Sequence, residues 1–407
     1  MASRTTKSPR VVDFSTHLSG PVASRQLVHL GADVVKVENP RFGDGNRTTT
    51  PLVDGVGMYH LVLNPGTRSI TADVRSPGWP RLTARLAAWA DVVIVGNRPS
   101  AAARYGIDFH SIVKHRADVV YCLITGYGLD GPWSGLPAHG LNMDAYAGLV
   151  PVEWADGRPV PSEAYRSAGT TLAGIHAALG IYAGLHRRSL DGQAQFVHVS
   201  IWESAIASMW RDIGTYANTG ELWPGYRDKG SRYCMYGTAD DRAILLCPGE
   251  KHFWESFCDV VELPAALRAR GDWSSGMDFG EDYLELGERE EIQERIGRRP
   301  LDDWVRLMAA ADIPFAPVLD WREVLGSEHG SVNGLVSTYE HDGHTVEIPS
   351  SPVSVTSADG ATTADDLAAA HRVKGAVPGP PPELGADTES VLEELGVPDL
   401  AEDLLAP

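Results

Sequence analysis

Residues 11–38 read VVDFSTHLSGPVASRQLVHLGADVVKVE, and this segment predicts a strand, a helix and a second strand. The two strands are the β-branched runs Val11 to Phe14 and Val34 to Val37, and the helical pattern Val22 to Leu30 lies between them. Apart from Asp13 and Lys36, both runs are apolar at successive rather than alternate positions, which is typical of strands buried on both faces. A strand, a helix and a strand in this order predict a parallel βαβ unit.

The same alternation continues to about residue 200, with further strand-like runs and helical patterns. The strand-like runs are 69–74, 92–95, 119–124 and 196–201, and the helical patterns are 79–90 and 170–185. We therefore predict an α/β fold with a Rossmann-like parallel-sheet large domain. From about Ile201 the pattern changes to a long helical stretch followed by short strands and helices, which predicts a smaller α+β domain. The expected division is 1–200 for the first part of the large domain, 201–335 for a linker and the small domain, and 336–407 for a return segment that completes the large domain.

Composition and charge limit the class of protein. The chain has 407 residues, 43% of them hydrophobic, and a formal net charge of −19, so it is expected to be globular. Such an acidic surface repels nucleic acids and anionic membranes, and neither is expected as a partner. The four cysteines form no C-x-x-C pair, so neither a disulfide framework nor a metal site is indicated. With no uninterrupted apolar run long enough to span a membrane, we place the protein in the cytoplasm.

A series of short motifs gives the chain a family resemblance. In order they are Leu30–Glu38 (LGADVVKVE), Gly43-Asp44, Leu63–Ile70 (LNPGTRSI), Ala90–Ile94 (ADVVI), Asn97-Arg98-Pro99, Arg104-Tyr105-Gly106, Ile124–Gly128 (ITGYG), Asp191-Gly192-Gln193, Ala311–Val318 (ADIPFAPV), Glu328-His329 and Pro382–Gly385 (PELG). Together they resemble the class III coenzyme A transferase family, which includes the α-methylacyl-CoA racemases. The resemblance covers essentially the whole chain. It implies the fold of that family, an interlocked homodimer, coenzyme A bound as a thioester substrate, and a carboxylic acid as acceptor.

The resemblance also implies where coenzyme A binds. In relatives its adenosine and phosphates lie along the ends of the first strands. The matching positions here are His17, Leu18, Asn39, Arg68, Asn97, Arg98, Arg104 and Tyr105. Arg98 and Arg104 can supply the positive charge that a phosphate requires, or they can be solvated surface arginines. Arg68 leads into a strand and can equally pair with a structural carboxylate.

One family position departs from the pattern. Transferases of this class use an Asp, four residues before a helical glycine, as the nucleophile that attacks the thioester. Here the glycine is Gly174 and the residue four positions earlier is Thr170. A hydroxyl lacks the resting negative charge of a carboxylate, so an altered active site is expected. Three carboxylates are candidate substitutes: Glu163 in the polar loop before this helix, Asp144 one turn past His139, and Glu203. The alternative interpretations are a solvated loop residue for Glu163 and a structural role for Glu203.

His139 and Asn142 match the His-x-x-Asn pattern that the racemases have at the start of a helix. By this resemblance His139 is a candidate general base, and Asn142, on the same helical face, can orient the imidazole or polarise a thioester carbonyl. The alternative is a histidine that only makes structural hydrogen bonds at a helix start.

These observations lead to one expected function and two alternatives. The expected function is transfer of CoA between an acyl-CoA and a carboxylic acid by an altered active site. The first alternative is an acyl-CoA isomerase, racemase-like enzyme or lyase with His139 as base. The second is an inert CoA-binding subunit, because loss of the nucleophile is also what such a protein would show.

Overall fold

A six-stranded sheet organises the larger of two units in the computed structural model, which describes residues 8–223, 225, 230–355, 363, 366 and 379–404. The strands are β1 (Arg10–Asp13), β2 (Asp33–Glu38), β5 (Arg68–Thr71), β6 (Val92–Val95), β7 (Val120–Thr125) and β10 (Gln195–Ser200). Their order is β10-β7-β6-β1-β2-β5, and every neighbouring pair is parallel. The predicted α/β fold with a parallel sheet is confirmed.

Alternate residues of each strand enter two separate cores, one on each face of the sheet. Val11 packs in the core of one face and Val12 in that of the other, and Val34 and Val35 divide in the same way. Successive side chains of a strand point to opposite faces, so a strand with apolar residues at successive positions needs a cover on both sides. This is why apolar residues do not simply alternate with polar ones in these runs.

Helices supply those covers and connect the strands. In this unit they are α1 (Ser19–His29), α2 (Met58–Leu63), α3 (Trp79–Trp89), α4 (Pro99–Tyr105), α5 (Phe109–Val113), α6 (Gly140–Tyr146), α7 (Gly169–Asp191) and α8 (Ile201–Ser208), with α15 (Glu328–Val332) at the unit's limit and α16 (Thr388–Glu394) near the C-terminus. Residues of α1 and α7 fill one core, and residues of α3 and α16 fill the other. Three hairpins complete the unit: β3–β4 (Leu52–Val53 and Val56–Gly57), β8–β9 (Val152–Ala155 and Arg158–Pro161) and β14–β15 (Val336–His341 and His344–Pro349).

The smaller unit spans Arg211–Glu328, and the larger comprises Met1–Trp210 and His329–Pro407. The smaller unit has the antiparallel sheet β11 (Cys234–Gly237), β12 (Ala243–Leu246) and β13 (Phe315–Pro317), with helices α9 (Trp210–Thr219, whose first residue belongs to the larger unit), α10 (Lys251–Val261), α11 (Ala265–Arg268), α12 (Glu288–Ile296), α13 (Leu301–Ala310) and α14 (Trp321–Gly326). The expected domain limits at residues 200 and 335 stay predictions, and residues 356–362, 364–365 and 367–378 of the return segment lie outside the described residues. Among the described helices, none is long and apolar enough to cross a membrane.

Candidate active site

A cavity of about 500 Å³ lies at the carboxyl edge of the six-stranded sheet. The loops that follow β1, β6 and β7 and the start of α8 after β10 form its wall. From β1 the chain continues to β2 on one side, whereas β6 lies on the other side of β1. Ligands of open α/β sheets bind where the strand order reverses in this way, because the loops on either side diverge and leave a crevice. The cavity therefore occupies the position in which this fold normally binds a substrate.

A buried charge network supports the loop after β1. The ammonium of Lys36 lies 2.9 Å from Asp44 and 3.7 Å from Asp13, and it donates a hydrogen bond of 3.0 Å to the Ser15 carbonyl. Burial alone would lower the pKa of Lys36, but the surrounding carboxylates outweigh it and raise that pKa. Burial also opposes ionisation of Asp44, yet Lys36 and two backbone amides keep the pKa of Asp44 below its usual value. Both groups therefore stay charged and fix the loop in place.

His17 stands on this loop in an uncommon backbone conformation. Its φ is 67°, in the left-handed region that residues with a side chain seldom adopt. The Asp44 carboxylate accepts a hydrogen bond from the His17 amide at 2.9 Å, and the Asn46 side chain donates to the His17 carbonyl. These bonds compensate the strain and turn the imidazole towards His139, whose ring centroid is 6.2 Å away. The structure thus brings His17 and His139 together in the cavity wall.

The first turn of α7 is held by a carboxylate from α6. Asp144 is fully buried and accepts hydrogen bonds from the Gly169 amide at 3.0 Å, the Ala168 amide at 3.1 Å, the Ser167 hydroxyl at 2.8 Å and the Tyr165 hydroxyl. Burial and the bond to Asp144 raise the pKa of Tyr165 to about 12, so the phenol stays protonated and donates. A carboxylate at a helix N-terminus satisfies free amides and interacts favourably with the helix dipole. The carboxylate of Asp144 thereby positions the segment that carries the next residue, Thr170.

Thr170 lies in the cavity wall and is only 4% exposed. Its methyl group faces Gly140, where a Cβ would lie 3.5 Å away. One turn further along α7, a Cβ on Gly174 would lie 2.6 Å from the Ser19 carbonyl oxygen and 2.5 Å from Val22, so only glycine permits this approach of α7 to α1. The first turns of α1 and α7 therefore meet at the cavity.

The other candidate residues of the catalytic group lie at the edge of the cavity or outside it. Asn142 is exposed, and its side-chain oxygen accepts a hydrogen bond from the His139 amide at 3.0 Å. Asn142 is not among the described residues that line the cavity, and its side chain instead contacts the backbone at the start of α6. Glu163 is exposed in the loop before α7 and is also absent from the described lining.

The coenzyme A candidates divide between the two edges of the sheet. Leu18 and Arg98 line the cavity, and the Arg98 guanidinium donates to the Gly135 carbonyl at 3.4 Å. Asn39 and Asn97 follow β2 and β6 at the same edge but are not in the described lining.

Three further candidates contact other parts of the unit. Arg104 stacks on the ring of its neighbour Tyr105, 4.9 Å from the ring centroid, and neither lies in the described lining. Arg68 begins β5 at the amino edge of the sheet, where it forms ion pairs with Asp33 at 2.7 Å and Glu394 at 2.8 Å. The Arg68 guanidinium is therefore engaged away from the cavity.

The described residues that line the cavity offer mainly hydroxyls, two imidazoles and one guanidinium as functional groups. His17, His139 and Arg98 are its residues with nitrogen bases or cations, and serine and threonine side chains surround them. Among the described residues, no cluster of His, Cys, Asp and Glu could hold a metal ion. The sequence analysis did not assign Asp13, Lys36 or Asp44 to the site. A charged residue inside each of two β-branched runs was a signal for Asp13 and Lys36, and the Gly43-Asp44 motif was one for Asp44.

Comparisons with known proteins agree with this architecture. The sequence model of CoA-transferase family III matches residues 7–388. The acetyl-CoA:oxalate CoA-transferase of Acetobacter aceti is 24% identical over 385 residues, which cover 90% of this chain and 95% of that protein. The succinyl-CoA:glutarate CoA-transferase of Mus musculus is 26% identical over 397 residues, covering 95% of this chain and 85% of that protein. A CaiB/BaiF family protein from Brucella suis has a crystal structure with the same fold, with a TM-score of 0.75 and 21% identity over 96% of this chain and 98% of that one. The chain therefore belongs to CoA-transferase family III, and the expectation that it is a CoA-transferase of this family is confirmed.

Proposed function

We propose that the protein transfers CoA from an acyl-CoA to a carboxylic acid in the cavity at the carboxyl edge of the sheet. The observation that carries this proposal is the convergence of His17, Arg98, His139 and Thr170 on one cavity at the reversal of strand order. Similar enzymes named for such transfers use acetyl-CoA with oxalate or succinyl-CoA with glutarate. A donor thioester and an acceptor acid are therefore the substrate classes to test.

Arg98 is suited to bind a phosphate group of coenzyme A. It is the one Lys or Arg in the described lining, it is exposed, and its hydrogen bond to Gly135 is long, at 3.4 Å. A guanidinium with donors to spare forms charge-assisted hydrogen bonds with phosphate. The net negative charge of the chain repels an anionic substrate, so binding such a substrate requires a local cation, and Arg98 can supply it.

His139 and His17 are suited to the reacting end of the thioester. Either imidazole can donate a hydrogen bond to the thioester carbonyl oxygen or to the sulfur as the C–S bond breaks. Thr170, in another part of the wall at the start of α7, occupies the position where the family resemblance implies a carboxylate. The active site of this chain is thus altered in its nucleophile, while its hydrogen-bond donors are present.

We also propose that the protein is an interlocked homodimer in the cytoplasm. Large apolar side chains stand exposed on α7 and α9, among them Leu179 at 68%, Leu190 at 75% and Trp210 at 69% exposure. A second chain would remove this apolar surface from water. Light scattering with size-exclusion chromatography tests the dimer, and a monomeric mass would refute it.

The experiment that tests the function uses pure protein and defined substrates in deuterated buffer. Acetyl-CoA or succinyl-CoA is incubated with oxalate, glutarate, mesaconate or no acid, and all CoA esters are measured by mass spectrometry. A new CoA ester that forms only with an added acid is the expected result. Deuterium uptake or an isomerised thioester without acid would instead support the isomerase, racemase-like or lyase alternative. CoA binding without turnover would support the inert subunit.

A further inference from the structure

The described lining of the cavity contains no carboxylate. Among the described residues its side chains include no Asp, Glu, Lys or Cys, and the remaining oxygen nucleophiles are hydroxyls. Transfer of CoA to an acid requires a carboxylate oxygen to attack the thioester carbonyl, because that attack gives an anhydride from which a thiolate can recover the acyl group. A threonine ester would not serve, since its alkoxide is a far poorer leaving group than a thiolate.

Three buried carboxylates lie next to residues that line the cavity, and each already has hydrogen-bond or ion-pair partners. Asp13 is buried and accepts two hydrogen bonds from Ser15 at 2.8 and 2.5 Å. Asp44 is buried against Lys36 at 2.9 Å. Asp144 is buried and accepts four hydrogen bonds at the start of α7. Exposing any of them to the cavity would strip a buried charge of its partners, which is strongly unfavourable.

Two hydroxyls of the wall, by contrast, make no hydrogen bond to any described residue. Ser19 begins α1, is 6% exposed, and its hydroxyl has no hydrogen-bond partner among the described residues. Thr170 lies in the first turn of α7 and is 4% exposed; its hydroxyl makes no hydrogen bond within the described part of the chain, and its oxygen is not fully enclosed, so it can reach a ligand in the cavity. Buried polar groups in native proteins are hydrogen-bonded, so the unsatisfied Ser19 hydroxyl beside a substrate cavity indicates a bound ligand with acceptor oxygens. The two helix N-termini add a potential that favours an anion.

We propose that the acceptor acid itself supplies the attacking carboxylate, held by the hydroxyls of Ser19 and Thr170 at the first turns of α1 and α7. The inference rests on the proposed function. In the first step a carboxylate oxygen of the acceptor attacks the thioester carbonyl; the new C–O bond forms, the C–S bond breaks, and CoA leaves as a thiolate. The product is a mixed anhydride of the two substrate acids.

In the second step the thiolate attacks the acceptor's carbonyl carbon. A C–S bond forms, the C–O bond to the bridging oxygen breaks, and the donor acid leaves as a carboxylate. No proton is gained or lost overall, and one oxygen atom passes from the acceptor to the donor acid. Both substrates must be bound at once, so the reaction is sequential.

A single-turnover experiment with wild-type protein in excess separates this route from one through a protein carboxylate. The acceptor that reacts in the substrate panel is labelled with oxygen-18 in its carboxylates, and the released donor acid and the intact protein are weighed by mass spectrometry. We expect the donor acid to carry one oxygen-18 and the protein mass to stay unchanged. If the new CoA ester forms but the label appears in the protein, this inference is wrong while the proposed function stands. If no acid in the panel yields a new CoA ester, the proposed function fails and the inference with it.

Steady-state kinetics test the roles of the two hydroxyls. Ser19→Ala and Thr170→Val should each raise the KM for the acid about tenfold or more, because each removes a hydrogen bond to a charged group, and leave the KM for the acyl-CoA within about twofold. Thr83→Val is the matched control, since Thr83 is a buried helical threonine whose hydroxyl donates to the Trp79 carbonyl at 3.1 Å on α3. Unchanged acid KM values in both wall variants, or parallel double-reciprocal plots for the wild type, would overturn the assignment.

Discussion

Replacement of Asp144 by asparagine tests whether this carboxylate positions the start of α7. The amide side chain would keep one oxygen for the Gly169 amide at 3.0 Å but would place an NH2 group against the Ala168 amide, where the carboxylate now accepts at 3.1 Å. The hydroxyls of Ser167 and Tyr165 can rotate to accept, but a backbone N–H cannot. An unsatisfied donor costs about 1–3 kcal/mol, and loss of the charge weakens the remaining bonds by about 1 kcal/mol. We therefore expect Asp144→Asn to lower the free energy of unfolding by about 2–4 kcal/mol.

Thermal unfolding followed by circular dichroism measures this change. A loss of that size should lower Tm by roughly 3–7 °C in a unit of this length. Asp130→Asn is the control, because Asp130 is exposed and its substitution should stay within about 0.5 kcal/mol of wild type. Turnover, assayed well below both Tm values, should also fall in Asp144→Asn. The variant loosens Ala168 and Gly169, and Thr170 in the cavity wall is the next residue. An Asp144→Asn protein with wild-type Tm and wild-type turnover would refute the positioning role.

Three further predictions concern other residues. Burial lowers the pKa of His60 from 6.5 to about 4, so the unfolded chain takes up the proton first and the free energy of unfolding falls as pH drops from 6.5 towards 4, by about 3 kcal/mol in total. Urea titrations across this range should show a loss that is about 3 kcal/mol larger in wild type than in His60→Gln, in which His29 and His198, whose pKa values burial also lowers, still contribute. Gly174→Ala places a Cβ 2.6 Å from a carbonyl oxygen of α1 and should cost about 1–3 kcal/mol in thermal unfolding, whereas Gly214→Ala, with open space around it, should be neutral or stabilising. Arg98→Gln should raise the KM for acyl-CoA about tenfold, because it removes a charged donor to phosphate. Arg68→Gln should leave that KM unchanged and lower the free energy of unfolding by about 1 kcal/mol. Equal KM values for the two variants would contradict the assignment of Arg98 to the phosphates.

Much of the candidate site was accessible from the sequence because its residues follow strands. His17 and Leu18 come after β1 and Arg98 after β6, so a parallel sheet brings all three to one edge. Arg68 fits the same motif series but stands at the first position of its strand, and the direction of β5 carries it to the opposite edge. Ser19 gave no chemical signal, since a serine at a helix start is ordinarily a structural residue.

The sequence by itself determined the α/β class and the family, because periodicity is a local property and the motifs are read directly from the chain. The tertiary structure decided which charges are buried together. Asp13 and Lys36 are partners only because β1 and β2 pair in that register, and a shift of one residue would send them to opposite faces. Asp144 reaches the start of α7 from α6, across 25 residues of chain that leave no pattern linking the two. Contacts of this kind depend on how the helices and strands pack against one another in three dimensions, and for that reason a single sequence does not reveal them.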